Sequence, residues 1–84
     1  MTERVRTEEF RVDGEELLSR IKKLVNEGNI RRITIKNKDG GTVFELPLTL
    51  GVVGALIAPQ LAAIGAIAAL ITEATVVVEK VEPD

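Results

Sequence analysis

The chain has 84 residues, with eleven basic and thirteen acidic side chains and a net charge of −2. This balance argues against a dedicated nucleic-acid-binding domain, which carries a basic surface. Cysteine and histidine are absent from the sequence, which excludes disulfides and metal sites built from thiolates or imidazoles. A single domain of this size, spanning residues 1–84, commonly depends on oligomerisation for stability.

The first quarter of the chain predicts a strand followed by a helix. Residues 5–12 predict a strand with Phe10 and Val12 on one face. Asp13 and Glu16 have the spacing of a capping box at a helix start, and Gly28 is a typical helix stop. Between them, apolar residues at helical spacing form one stripe that predicts a buried helix face. The stripe is Leu17, Leu18, Ile21, Leu24 and Val25.

Two further stretches alternate between apolar and polar residues and predict a β-hairpin. They are residues 30–37 and 42–48, joined by a turn rich in asparagine, aspartate and glycine. Pro47 cannot donate a hydrogen bond within a sheet, so it indicates a strand end or an edge strand. Residues 75–81 are rich in valine and predict a closing strand.

The element order predicts an α+β fold with a β-α-β-β-α-β sequence, the split βαβ pattern of ferredoxin-like sandwiches. The alternative is α-β-β-α-β, which applies if the first strand is irregular. Either arrangement places helices on one face of a sheet.

The stretch of residues 46–72 contains no charged side chain. It predicts an apolar helical segment over about 49–72, capped by Thr49 and bent at Pro59. The alternative at Pro59 is a break, with the proline at the first position of a second helix. Two stripes lie on nearly opposite sides of this helix. The bulky stripe is Val53, Ile57, Gln60, Ile64, Ile67 and Ile71. The Gly/Ala stripe is Gly51, Ala55, Ala58, Ala62, Gly65 and Ala69.

We expect the bulky stripe to pack on the sheet and the Gly/Ala stripe to contact a partner. On a monomer's surface helix the outer side would be charged, and small residues let two helices approach closely. The sequence therefore predicts a homo-oligomer that assembles through the Gly/Ala stripe. The alternative is a membrane-associated protein that inserts residues 49–72 into lipid, since the segment is long enough to span a bilayer.

Other functions receive less support from the sequence. No residue set predicts a catalytic site, a cofactor site or a metal site, so we expect a protein that is not an enzyme. Arg31, Arg32 and Lys36 form a possible polyanion-binding face, although acids are interleaved with the basic residues of this region. The charged N-terminal stretch lacks the apolar core of a signal peptide, which makes the cytoplasm the default location.

Several motifs resemble those of a known family. They are EGNIRRI (27–33), ELPLT (45–49), GVVGAL (51–56), AP (58–59) and LAA (61–63). Together they are similar to domain of unknown function 4342, over roughly residues 8–80. The resemblance implies a short prokaryotic domain with no assigned activity, cofactor or catalytic residue, and it implies that the bend at Pro59 is part of the family pattern.

Overall fold

The structure is a computed structural model that describes residues 4–48 and 54–82, with side chains of the second stretch described from Ala58 onward. It contains four strands and two helices in the predicted β-α-β-β-α-β order. The elements are β1 (Arg4–Asp13), α1 (Gly14–Glu27), β2 (Ile30–Lys36), β3 (Thr42–Pro47), α2 (Gly54–Ala68) and β4 (Glu73–Glu82). The α+β class is confirmed. The α-β-β-α-β alternative is wrong, because β1 is a regular strand paired with β4 along its whole length.

The four strands form one antiparallel sheet in the order β1-β4-β2-β3. Strands β1 and β2 run parallel with β4 between them, so the crossover through α1 is a split βαβ unit. The ferredoxin-like arrangement is not confirmed, because its first and third strands lie in the centre, whereas here β4 and β2 do. The composition of the two strands explains this order. Strand β4 is apolar enough to lie in the centre with a neighbouring strand on each edge, whereas β1 is highly charged and lies at an edge of the sheet.

The core lies on one face of the sheet, under the two helices. Alternate residues of β4 point into it, and Ala74, Val76 and Val78 are buried almost completely. Strand β2 contributes Ile33 and Ile35, both fully buried. The remaining buried apolar residues come from the other elements: Val12, Leu17, Ile21, Leu24, Ile30, Leu46 and Ile64.

Helix α1 confirms the predicted apolar stripe and the predicted stop. Leu17, Ile21 and Leu24 are buried, and Gly28 adopts the left-handed conformation with φ of 81° that ends the helix. The capping-box prediction is wrong. Asp13 has the extended backbone of an N-cap residue, but its side chain makes no capping hydrogen bond. The Gly14 N–H instead donates to the Thr72 carbonyl at 3.0 Å.

The predicted hairpin of β2 and β3 is confirmed. Strand β2 also has an irregularity in its pairing with β4 that the alternation of apolar and polar residues did not predict. The register of β2 against β4 shifts between Ile30 and Arg32. This shift lets Ile30 and Ile33 both face the core although they are three positions apart. At the turn, the Asn37 Oδ1 accepts hydrogen bonds from the N–H groups of Asp39 and Gly41 at 3.0 and 2.9 Å.

Helix α2 is shorter than the predicted segment of 49–72. The predicted start, with its Thr49 cap, lies outside the described residues, and the helix ends at Ala68. After Ala68 the chain turns, with the Leu70 N–H donating to the Ile67 carbonyl at 2.9 Å. The helix ends early because the chain must turn to bring Thr72 against the start of α1. Pro59 lies inside α2, so the alternative of a break there is wrong, and the predicted bend stays a prediction.

Gly14 lies where the start of α1 comes close to the backbone at the end of α2. A Cβ at this position would collide with the carbonyl oxygen of Ile71 and would lie 2.8 Å from that of Ala68. Both obstacles are backbone atoms, so neither can rotate away. Gly14 is therefore required where the end of α2 crosses the start of α1.

We predict that Gly14→Ala lowers the free energy of unfolding by about 1–3 kcal/mol, the usual range for overpacking. Gly65→Ala is the matched control, because its Cβ would meet only the Leu18 side chain at an ordinary 3.6 Å. Inside a helix that control should raise the free energy of unfolding by up to about 1 kcal/mol. Urea denaturation followed by circular dichroism measures both. Equal stabilities of the two variants would contradict the close contact at Gly14.

Candidate functional site

The most unusual surface of the molecule is the outer side of α2 and the turn after it. Among the described side chains, its exposed residues are all uncharged and apolar, and Leu70 is the most exposed large hydrophobic one, at 87%. We call this surface the apolar face of α2. It consists of Ala58, Pro59, Ala62, Ala66, Ala69 and Leu70. A helix on the surface of a soluble monomer normally carries polar residues there.

The structure divides the predicted Gly/Ala stripe. Ala58, Ala62 and Ala69 are exposed as expected. Gly65 is half-buried and faces the Leu18 side chain of α1, so it contacts the same chain. Gly51 lies outside the described residues, and so does the side chain of Ala55.

Ala66 and Leu70 were missed by the heptad-type spacing of the stripe. Ala66 lies four residues after Ala62 and therefore continues the same side of a helix. Gly65 lies about 100° away from Ala66 around the axis, which turns it toward α1. Leu70 lies four residues after Ala66, but it follows the end of the helix. Four-residue spacing alone would have included both Ala66 and Leu70, whereas the high exposure of Leu70 also depends on where the helix ends.

The bulky stripe packs inward to the extent that it is described. Ile64 is fully buried in the core, and Gln60, Ile67 and Ile71 are half-buried. Val53 and the side chain of Ile57 lie outside the described residues. Among the described side chains of α2, Ile64 alone is fully buried. From Ala58 onward, α2 thus packs against the core along one side, through Leu61, Ile64 and Ala68, and is exposed along the other.

An open groove of about 650 Å³ lies between the start of α1 and the end of α2. Its lining includes the small or apolar residues Leu18, Gly65 and Ala68 and the acidic residues Asp13 and Glu15. Ala69 belongs to both the groove and the apolar face of α2. The two surfaces are therefore continuous.

The predicted polyanion-binding residues lie on β2 but do not form an uncompensated basic surface. Arg31 is exposed at the register shift, and Lys36 is half-buried. The Arg32 guanidinium lies 3.3 Å from the Glu45 carboxylate. Glu79 is the β4 partner of Arg32 in the sheet register. Each acid lowers the positive potential on this side of the sheet.

A cluster of ion pairs lies on the helix-bearing face of the sheet, next to the last turn of α1. The Lys80 ammonium, with its side chain 17% exposed, lies 3.4 Å from Glu8 and 3.5 Å from Glu27. Arg6 continues the chain of ion pairs, 2.9 Å from Glu8 and 3.1 Å from Glu82. Glu27 lies in the last turn of α1, where the helix dipole disfavours a negative charge, so Lys80 compensates it.

The family comparison agrees with the residues discussed above. The model of a domain of unknown function, DUF4342, matches residues 3–80. The chain belongs to this family. No curated protein and no solved structure matches the chain. The DUF4342 model thus covers all six described elements except the end of β4.

Two kinds of feature are absent from the described residues. In residues 4–48 and 54–82, no helix is both long enough and apolar enough to cross a membrane. In the same part of the chain, no three acidic side chains are grouped so that they could hold a metal ion.

For the basic face of β2 we predict weak, salt-sensitive binding at most, because Glu45 and Glu79 offset Arg32. Fluorescence anisotropy of a labelled single-stranded DNA, titrated with the protein at several salt concentrations, measures this. Glu45→Gln should strengthen any binding at low salt, since it removes one of the two acids. Tight binding at physiological salt by the unmodified chain would contradict this prediction.

Proposed function

We propose that the chain is a non-enzymatic homo-oligomerising module that assembles through the apolar face of α2. One observation carries the proposal: an uncharged helix has a single fully buried residue, Ile64, among its described side chains. An exposed face with no charged group loses little on leaving water and gains free energy by being covered. A second copy of the same chain carries a matching surface.

The chemistry of the apolar face of α2 suits close helix packing. Ala58, Ala62 and Ala66 follow one another at four-residue spacing, and their methyl groups keep two backbones only a short distance apart. Leu70 adds the large side chain of this surface, and burying a leucine contributes about 1.5–3 kcal/mol. A symmetric contact uses the same surface on both copies, so each favourable contact occurs twice.

The predicted bend at Pro59 would make the apolar face of α2 convex. Proline removes one helical hydrogen bond and its ring crowds the carbonyl four residues earlier, at Ala55. Pro59 is exposed on this face, so the crowding would lengthen the outer side and curve the helix around its own core. A second copy would then contact a convex surface.

Size-exclusion chromatography with light scattering tests the proposal. We predict that the unmodified chain has a mass of at least twice 9.1 kDa, and that Ala62→Glu raises the dissociation constant at least about tenfold, the equivalent of 1.4 kcal/mol. The reason is that a carboxylate would be buried in an apolar contact without a partner. Ser19→Glu, which adds the same charge at an exposed position of α1, should leave the mass unchanged.

A monomer at all concentrations would refute the proposal. Sedimentation with lipid vesicles then addresses the alternative from the sequence, a protein that inserts residues 49–72 into lipid. A monomer that pellets with vesicles would favour lipid as the cover of the apolar face of α2. An unmodified chain that oligomerises and stays in the supernatant would favour a second copy.

A further inference from the structure

The two edges of the sheet differ in how well they are protected from pairing with another strand. Strand β3 is six residues long, ends at Pro47, and has a register shift against β2 that leaves Val43 without a partner. Each feature discourages the addition of a further strand. Strand β1 is ten residues long, with unbroken register against β4 and neither proline nor glycine. In the described part of the chain, β4 is its single strand neighbour.

We infer that the free edge of β1 pairs antiparallel with β1 of a second copy, centred on Thr7. A two-fold axis there joins the two sheets into one continuous sheet and leaves the helices of both copies on the same face. This contact is separate from the one proposed for α2, because it uses the sheet edge and none of the residues of the helix.

The charge order of β1 is self-complementary in this register. Pairing centred on Thr7 places Arg6 opposite Glu8 of the copy, and Glu8 opposite Arg6. It places Val5 opposite Glu9 and brings no two like charges face to face. Opposite charges directly across a strand pair are favourable. The contact also extends the ion pairs that Arg6 and Glu8 already make.

Other antiparallel registers of β1 with its copy also leave the helices of both copies on one side of the sheet, but they are less favourable. Centres on Arg6, Glu8, Glu9 or Arg11 place identical charges opposite each other. A centre on Phe10 places two phenyl rings together, but the Arg20 guanidinium already lies 4.7 Å from the centre of its own Phe10 ring. That register would bring two guanidinium groups together above the rings. A centre on Val5 places Arg4 opposite Arg6 of the copy. A centre on Val12 places Arg11 opposite Asp13, but it pairs only residues 11–13 of each strand. The charges and the length of β1 together therefore select the pairing centred on Thr7.

The absence of cysteine from the chain allows a direct test by disulfide trapping. Val5, Thr7 and Glu9 are exposed and lie on the sheet face opposite the helices, so replacing each singly by cysteine should leave the fold intact. In the inferred register, two Thr7 side chains are direct neighbours across the strands, within disulfide reach. Two Val5 side chains are separated by four strand positions, more than 10 Å.

Mild oxidation of dilute protein should crosslink Thr7→Cys at least tenfold faster than Val5→Cys or Glu9→Cys. A mixture of Val5→Cys and Glu9→Cys, one carrying a mass tag, should form the mixed dimer in preference to either symmetric one. Thr42→Cys on the β3 edge measures random collision. Crosslinking of Thr7→Cys no faster than that of Thr42→Cys would overturn the inference, and so would fastest crosslinking at Val5 or Glu9.

Hydrogen exchange of the unmodified chain gives a second measurement that needs no variant. Amides of β1 should become more protected as protein concentration rises, while those of β3 should not. Unchanged β1 protection would overturn the inference. Repeating the Thr7→Cys crosslinking with Ala62→Glu present separates the two contacts. Trapping that persists supports the β1 contact whatever happens to the α2 contact, and trapping lost with Ala62→Glu would show that β1 is not an independent interface.

Discussion

The structure depends on a core that lies on one side of a four-stranded sheet. Each strand offers alternate residues to that side, and the buried set is almost entirely aliphatic, with Ile33, Ile35, Val76 and Val78 at its centre. The opposite side of the sheet carries threonines and paired charges such as Arg32 and Glu45. A single layer of helices must therefore cover the whole core, and α1 covers it with a regular amphipathic stripe.

Helix α2 covers the core in a different way from α1. It contributes Ile64 to the core, contacts α1 through Gly65 and leaves an uncharged surface outward. Helix α1 solves the same problem with a charged outer face, so the contrast between the two helices is a property of their sequences and not of their place in the fold. The apolar face of α2 is consistent with a surface that is covered by another molecule, and the charged edge of β1 offers a second surface with a different chemistry.

Much of the fold was predictable because its signals are local. Helical spacing in α1, alternation in β2 and β3, and the asparagine–glycine turn each depend on a few neighbouring residues. Sheet order was not predictable in this way, since the pairing of β4 with both β1 and β2 joins residues far apart in the chain. The end of α2 likewise depends on the hydrogen bond from Gly14 to Thr72, and neither residue carries a pattern that reveals it.

The sequence predicted an uncharged outer side of the apolar helix, and the structure changed which residues belong to it. The sequence identified an uncharged helix side because charge is absent throughout residues 46–72. Whether Gly65 or Ala66 faces outward is decided by the position of Leu18 on α1. That contact depends on how two helices pack, which spacing within one helix does not encode. The resemblance to DUF4342 was confirmed, and it assigns the chain to a family without assigning it an activity.

The position of β4 has a consequence for how the chain folds during its synthesis. This strand follows every other described element in the sequence, yet it lies between β1 and β2 in the sheet. Until it has left the ribosome, β1 has no described strand to pair with, and β2 can pair with β3 alone. Helix α2 leaves the ribosome before β4, and therefore before the core against which it packs is complete. The order of synthesis therefore opposes gradual folding, and the domain is constrained to fold in one step once β4 is available.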